Sequence, residues 1–554
     1  MSRTFVASVV IAGLAVVSGQ AQQKPSPIAD LKTTAEASDY KSTSTHEDVV
    51  KFMKAVDAAS PIVYYTTYGK TFEGRDMPLA VVGTGLKDFS PASVKATGKL
   101  RVHIQGNIHA GEVEGKEAAQ VLLREFAMGQ HADWLQSTVF LITPIFNADG
   151  NEKFSMTNRG PQNGPINGQG TRANGQNINI NRDFMKLETP EGKAFVKLWN
   201  DYDPQVGFDL HTSDGSAHGY YLTYSPPLNP DTSDTIMKIM KDEWFPFITK
   251  NAKAKHGWDM FYYGNASGGP GGRGGRGGAP LPDVVGAQPP AAPAQRAWAT
   301  FEHVPRFHNN YVGMRNRFAL LSEAYAYATF KDRILATNYF MEEALTFAHQ
   351  NAAKLKAAVA AADKESIIGK PEATRAAIKR EGQVEILMGE VEDEINPNNG
   401  ARMNRRKDVV KAEMMINGLW FEPTMTEDVA TTYYVPAAAT AALDLLRLHG
   451  VQMTATTAPV SGVEQFAITS NTTQPARNSI DTGAHPLRRL EGTWGAAAGV
   501  SVPAGSFEIK MNQPLARLAF YLIAPTSDDG IVNWNVIDDM LGEGVKTYPI
   551  LRKK

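Results

Sequence analysis

Apolar and polar positions change their period several times along this chain. Leu100–Ile104 (LRVHI), Ser137–Pro144 (STVFLITP), Val206–Leu210 and Arg317–Ser322 (RFALLS) are short, mostly apolar runs. Their length and composition predict strands. Glu114–Phe126 has apolar residues at helical spacing, and Asn338–Ala361 is a long alanine-rich amphipathic stretch. Strands alternating with helices from residue 45 to about 360 predict an α/β sandwich, whose functional residues gather past the carboxyl ends of the strands. Beyond residue 365 the pattern shifts. Val384–Met388, Ala430–Val435 and Phe507–Met511 read as strands, and Ala437–Gly450 (AAATAALDLLRLHG) as a helix. Residues 366–554 therefore read as an accessory α+β region, partly β-rich, with no fixed-period repeat and no residue cluster that points to chemistry.

Two stretches fall outside this alternation. Met1–Ala21 combines basic Arg3, an apolar run from Phe5 to Val17 and a small-residue end. That is the layout of a secretory signal peptide, and the run is short of the about 20 residues of a bilayer-spanning helix. The expectation is an exported protein, periplasmic or secreted, with no integral membrane segment after signal removal. Residues 22–44 are polar and read as a linker to an α/β domain at 45–365. Within that domain, 265–296 carries GGPGGRGGRGG and a Pro/Ala-rich run. Such a segment buries too little apolar surface to offset its ordering entropy, so it reads as a flexible surface insertion.

Composition narrows the chemistry. The chain has 554 residues, room for two to four domains at roughly 100–200 residues each. Its net charge of -2 supplies no basic field, and no nucleic-acid partner is expected. It contains no cysteine, which excludes disulfides, thiolate metal sites, iron–sulfur clusters and cysteine nucleophiles. A transition metal would have to be held by His, Asp and Glu.

Asn107-Ile108-His109-Ala110-Gly111-Glu112 follows the strand Leu100–Ile104 directly. His and Glu three apart converge in a turn or a first helical turn, and imidazole plus carboxylate is a pair that zinc accepts. His211, in FDLHTSDGS, also follows an apolar strand, and Glu323, in ALLSEAYAY, is a carboxylate just past another. Each alone has a plain explanation, as a structural histidine or a surface glutamate. Three strand ends presenting metal-compatible or acid–base groups make a joint case. Between them, NINRDF holds Asn181 and Arg182. A guanidinium fork binds a carboxylate bidentately, and a neighbouring amide adds a donor.

Taken together, NIHAGEVEG, PIFNADGNE, NINRDF, DLHTSDG and LLSEAYAY resemble the zinc metallocarboxypeptidase family of the pancreatic carboxypeptidases, in the family's order, over residues 45 to about 360. The resemblance implies a mixed twisted sheet flanked by helices and one Zn²⁺ per chain, held by His109, Glu112 and His211. It implies Glu323 as general base and Asn181 with Arg182 as the grip on a substrate's terminal carboxylate. Arg159 in MTNRGPQNG is the choice for the arginine that polarises the scissile carbonyl, with Arg172 as its rival, and Tyr311 is matched to the family's mobile tyrosine. The implied substrates are peptide or protein C-termini. Two departures stand out. Asn179 occupies a position where the family often has an acidic residue orienting a ligand histidine, and Gly111 replaces an arginine inside HxxE. The rival functions are a zinc amidohydrolase or deacylase acting on small N-acyl amino acids or cell-wall peptides, and a non-catalytic peptide-binding protein of the same fold.

Overall fold

The computed structural model describes residues 27–213, 215–267, 295–475, 481 and 485–554. The signal peptide read at 1–21 and nearly all of the insertion read at 265–296 lie outside the described residues.

Eight strands form the central sheet: β1 Val63–Lys70, β2 Asp76–Val82, β3 Leu100–Gly106, β4 Thr138–Thr143, β5 Val206–Thr212, β6 Leu222–Ser225, β7 Met260–Tyr262 and β8 Phe318–Ala324. Their order is β1-β2-β4-β3-β5-β8-β6-β7. The middle run β4-β3-β5-β8 is parallel, and β1, β2 and β6 add antiparallel pairings. This is the mixed sheet expected. From β3 the chain steps outward to β4, then returns past β3 to β5 and on to β8. Strand order thus reverses between β3 and β5, the place where open α/β sheets leave a crevice at their carboxyl ends.

The apolar runs are uninterrupted because both faces of the sheet are covered. On one face Val102, Ile104, Phe140 and Phe208 pack under α1 (His46–Ala59), α2 (Glu114–Ala127) and the long helix Phe330–Gln350. On the other, Val81, Leu141 and Ala319 pack against Phe195 and Trp199 of α3 (Pro190–Tyr202). Local signals start these helices. Thr45 and Asp48 form a reciprocal capping box before α1. Thr189 caps α3, whose first residue is Pro190, already set to a helical φ. The alanine-rich stretch divides at Asn351 into helices Phe330–Gln350 and Ala352–Ala362.

Both stretches that flank the α/β domain pack against it. Where it is described, 22–44 lies on α2. Thr43 and Ser44 are buried and bind the Glu117 carboxylate of α2, and Glu36 pairs with Arg124 at 2.6 Å. The accessory region 366–554 packs on the α/β domain as well. Tyr433, Leu443, Phe520 and Tyr548 from that region share one core with Leu141 and Trp199. Strands Gln383–Ile395 and Arg402–Gly418 form a long hairpin that extends a small sheet begun by Ala297–Ala299. Strand Thr432–Val435 joins Phe507–Lys510 and Leu551–Lys553 in a six-stranded sheet, whose outer hairpin pairs Glu464–Gln474 with Leu487–Ala496.

Candidate metal centre

Three groups from two strand ends meet at the crevice between β3 and β5. Asn107 leaves β3 with φ of 64°, a left-handed conformation that asparagine tolerates, and its amide bonds the carbonyls of Ala110 and Glu112. The Glu112 N–H donates to the His109 carbonyl at 2.8 Å, closing a turn that brings both side chains together. His109 Nδ1 lies 3.0 Å from Glu112 Oε1, and His211 Nδ1, at the end of β5, lies 2.8 Å from Glu112 Oε2. All three side chains are almost fully buried. Their donor atoms lie within 4.8 Å of one another. Two imidazole nitrogens and a carboxylate converging on one point form a donor set that suits zinc, whose bonds to such ligands are about 2.0–2.2 Å. Among the described residues one other such group exists, His256, Glu342 and Glu343, and there Glu343 already pairs with Lys255 at 2.7 Å.

Each imidazole is held from behind. His211 Nε2 pairs with Asp209 Oδ2 at 2.7 Å, and His109 Nε2 donates to Asn179 Oδ1 at 3.0 Å. These partners direct both Nδ1 atoms to the shared point. Asp209 also faces the buried His308 ring at 3.5 Å. Burial opposes ionisation of Glu112, yet His109 and Arg159 hold its carboxyl well below the ordinary range. Burial likewise works against protonated His211, but Asp209 and Glu112 raise its pKa well above the usual value. Burial and the nearby Arg172 lower His109 to about 3.

Glu323 is the register partner of His211 on β8. Laterally paired residues leave a sheet on the same face, so the carboxylate rises beside the imidazole. Glu323 lies inside the strand, whose last residue is Ala324, rather than past its end. Both arginines considered for the carbonyl reach the centre. Arg159 Nη1 is 3.0 Å from Glu112 Oε1, and its Nη2 donates to the Thr212 carbonyl at 3.1 Å. Arg172 Nη1 lies 3.2 Å from His109 Nδ1 and 3.8 Å from Glu112 Oε1. Gly111 gives Arg159 its path, since a Cβ there would stand 2.5 Å from Arg159 Cγ.

Asn181 and Arg182 border the same crevice. Asn181 Oδ1 accepts from the His308 N–H at 2.9 Å, while its Nδ2 lies 3.5 Å from His211 Nε2. The Arg182 guanidinium stacks 3.6 Å above the Phe307 ring, and its Nη1 donates to the Asn181 carbonyl. Burial, then the nearby Arg172, lower Arg182 to about 10. Tyr311 is not brought to the centre, which corrects its assignment to substrate. It is fully buried, its hydroxyl lies 2.9 Å from His449 Nδ1, and it accepts from Arg315 at 3.1 Å.

Residues 49–253 match the family model described as zinc carboxypeptidase. This segment resembles a zinc carboxypeptidase domain. It holds His109, Glu112, Asp209 and His211, while Glu323 lies downstream of the matched span. The chain is 24% identical over 208 residues to carboxypeptidase 2 of Trichophyton rubrum, across 37% of this chain and 35% of that relative. The corresponding protein of Trichophyton tonsurans is 25% identical over 209 residues. The chain thus spans about a third of the length of the curated relatives it matches. Among solved structures, a metallo-carboxypeptidase from Burkholderia cenocepacia aligns over 56% of this chain and 70% of its own, at 17% identity and a TM-score of 0.39. Carboxypeptidase A from Helicoverpa armigera aligns over 61% and 78%, at 16% identity and a TM-score of 0.38.

Two contributors escaped the sequence reading. Asp209 was legible in principle, since it lies two residues before His211 on a strand and so on the same face. Asp481 was not. It belongs to the accessory region, and its Oδ1 accepts from Asn179 Nδ2 at 2.5 Å, across 302 residues of sequence. That contact brings a residue of 366–554 within one hydrogen bond of a partner of His109. Among the described residues no helix is long and apolar enough to cross a membrane.

Proposed function

We propose that this chain is an exported zinc metallocarboxypeptidase that removes C-terminal residues from peptides or proteins. The observation that carries the reading is the convergence of His109, Glu112 and His211 at the strand-order reversal, with Glu323 level with His211 on the next strand. Zinc held by the two Nδ1 atoms and Glu112 would supply Lewis acidity to the scissile carbonyl and acidify an attacking water. Glu323 takes the proton of that water and returns it to the leaving amine. Arg159 offers N–H donors where the carbonyl oxygen gains charge, and losing such a donor costs about 100–1000-fold in rate. Arg182, with the Asn181 amide, receives the terminal carboxylate and so selects the last peptide bond.

Residues 45–365 would form the catalytic unit, with 366–554 packed against it. Export rests on the signal-like pattern of Met1–Ala21. The test is metal analysis of the purified protein together with digestion of peptides that carry a free or an amidated C-terminus. The expected result is about one zinc per chain and single-residue shortening of the free-acid peptide alone. A Glu323→Gln protein should keep its zinc and lose activity by about 100- to 10,000-fold. Equal cleavage of the amidated peptide would refute the carboxylate grip. Hydrolysis of N-acyl amino acids without peptide shortening would instead favour a deacylase.

A further inference from the structure

Asn179 presents an amide where an acidic residue would hold the His109 imidazole most strongly. Its Oδ1 is 3.0 Å from His109 Nε2 and also accepts from the Asn181 N–H at 3.1 Å. An amide can rotate by half a turn, exchanging its oxygen for an NH₂ group that cannot accept from either partner. The group that meets its other end is Asp481, whose carboxylate can only accept and therefore faces Nδ2. Asp481 also lies 3.8 Å from Arg172 Nε, and Arg172 in turn reaches His109 Nδ1. In sequence it lies between the outer-hairpin strands Glu464–Gln474 and Leu487–Ala496.

We propose that Asp481 is a positioning residue of the metal centre: it holds the Asn179 amide with its oxygen toward His109 and supplies, one hydrogen bond further out, the carboxylate that position 179 lacks. The accessory region thereby completes the support of a ligand histidine. The chain is His109 Nε2–H to Asn179 Oδ1, then Asn179 Nδ2–H to Asp481. Each bond fixes the next, and with the proton held on Nε2, Nδ1 is the His109 nitrogen that would bind a metal. The carboxylate also gives Arg172 a counter-charge beside the crevice. Partners of this outer kind contribute about 10- to 100-fold to metal affinity.

The inference rests on the zinc reading of the centre, so the experiment separates the two. Zinc affinity is measured by chelator competition for the full-length wild type and for Asp481→Asn, Asp481→Ala, Asn179→Asp and the Asn179→Asp/Asp481→Ala double variant. Thermal unfolding of the metal-free proteins reports folding. Wild type that binds no zinc overturns the proposed function itself. With wild type binding zinc, both Asp481 variants should hold it about tenfold more weakly or worse. Asn179→Asp alone should also weaken it, because two carboxylates then face each other at hydrogen-bond distance. The double variant should recover most of the affinity, since a carboxylate at 179 accepts from His109 in either orientation. Wild-type affinity in both Asp481 variants, or a double variant no tighter than Asp481→Ala, overturns the inference and leaves the zinc reading standing. A merely structural role for the Asp481 segment would not be repaired by a charge placed at 179.

Discussion

Asp209 and His211 stand two residues apart on β5, on one face of the strand, and their side chains meet at 2.7 Å between Asp209 Oδ2 and His211 Nε2. The carboxylate accepts from Nε2–H, so Nδ1 is the nitrogen that would bind a metal. Asp209→Ala should lower zinc affinity by about 10- to 100-fold. Asp209→Asn, which keeps one acceptor, should lose less. Chelator competition reads both values. Unchanged affinity in Asp209→Ala would mean that packing alone orients the ring.

Arg182 gives a prediction about substrate rather than metal. Its guanidinium lies flat on Phe307 with Nη1 fixed to the Asn181 carbonyl. Lysine keeps the charge but loses the planar fork and the stacking. Arg182→Lys should raise KM for free-acid peptides by roughly 10- to 100-fold, the range of one charged hydrogen bond of about 1.5–3 kcal/mol. Zinc content should stay at the wild-type level. Steady-state kinetics with metal analysis checks this, and an unaltered KM would remove Arg182 from substrate binding.

The legible parts of this protein are those whose signal is local. The β4 run reads as a strand because every residue of Thr138–Thr143 is buried between two helical layers. HxxE is visible because one turn makes the contact. The polarity of Thr43 and Ser44 matches that of a solvated linker, whereas both are buried against Glu117. Tyr311 misled because a tyrosine upstream of Glu323 can as easily serve the core, and its partner His449 is 138 residues away. Asp481 had no local signal at all, since an aspartate in a hairpin segment is ordinary until the fold carries it to Asn179.

The buried tyrosine makes its own test. The ring of Tyr311 packs on Phe184, and its hydroxyl donates to His449 Nδ1 while accepting from Arg315. His449 Nε2–H donates to the Met185 carbonyl, so Nδ1 is an acceptor that needs a donor. Tyr311→Phe strands that nitrogen in the core, at a cost of about 1–3 kcal/mol. A lower unfolding midpoint in denaturant with unchanged kcat and KM is the expected result. A large fall in kcat without loss of stability would return Tyr311 to the substrate site.

His485 and Glu188 tie the outer hairpin to the α/β domain, with His485 Nε2 2.5 Å from Glu188 Oε1. The hydrogen bond to Glu188 raises the His485 pKa above 6.5. Burial pushes Glu188 up, but His485 and Lys186 bring it down to about 2. The folded state therefore binds the histidine proton more tightly than the unfolded chain does. That contribution is complete below the unfolded value of 6.5 and disappears as pH rises through the higher folded value. The Glu188 contribution is present above its unfolded value of 4.5 and is lost only as pH falls through about 2. Both act together between 4.5 and 6.5. His485→Gln should therefore unfold at a lower temperature than wild type at about pH 5.5, and the gap should be narrower at about pH 9. Thermal unfolding at the two pH values decides it, and a gap that widens toward alkaline pH would show that the pair is not what anchors the hairpin.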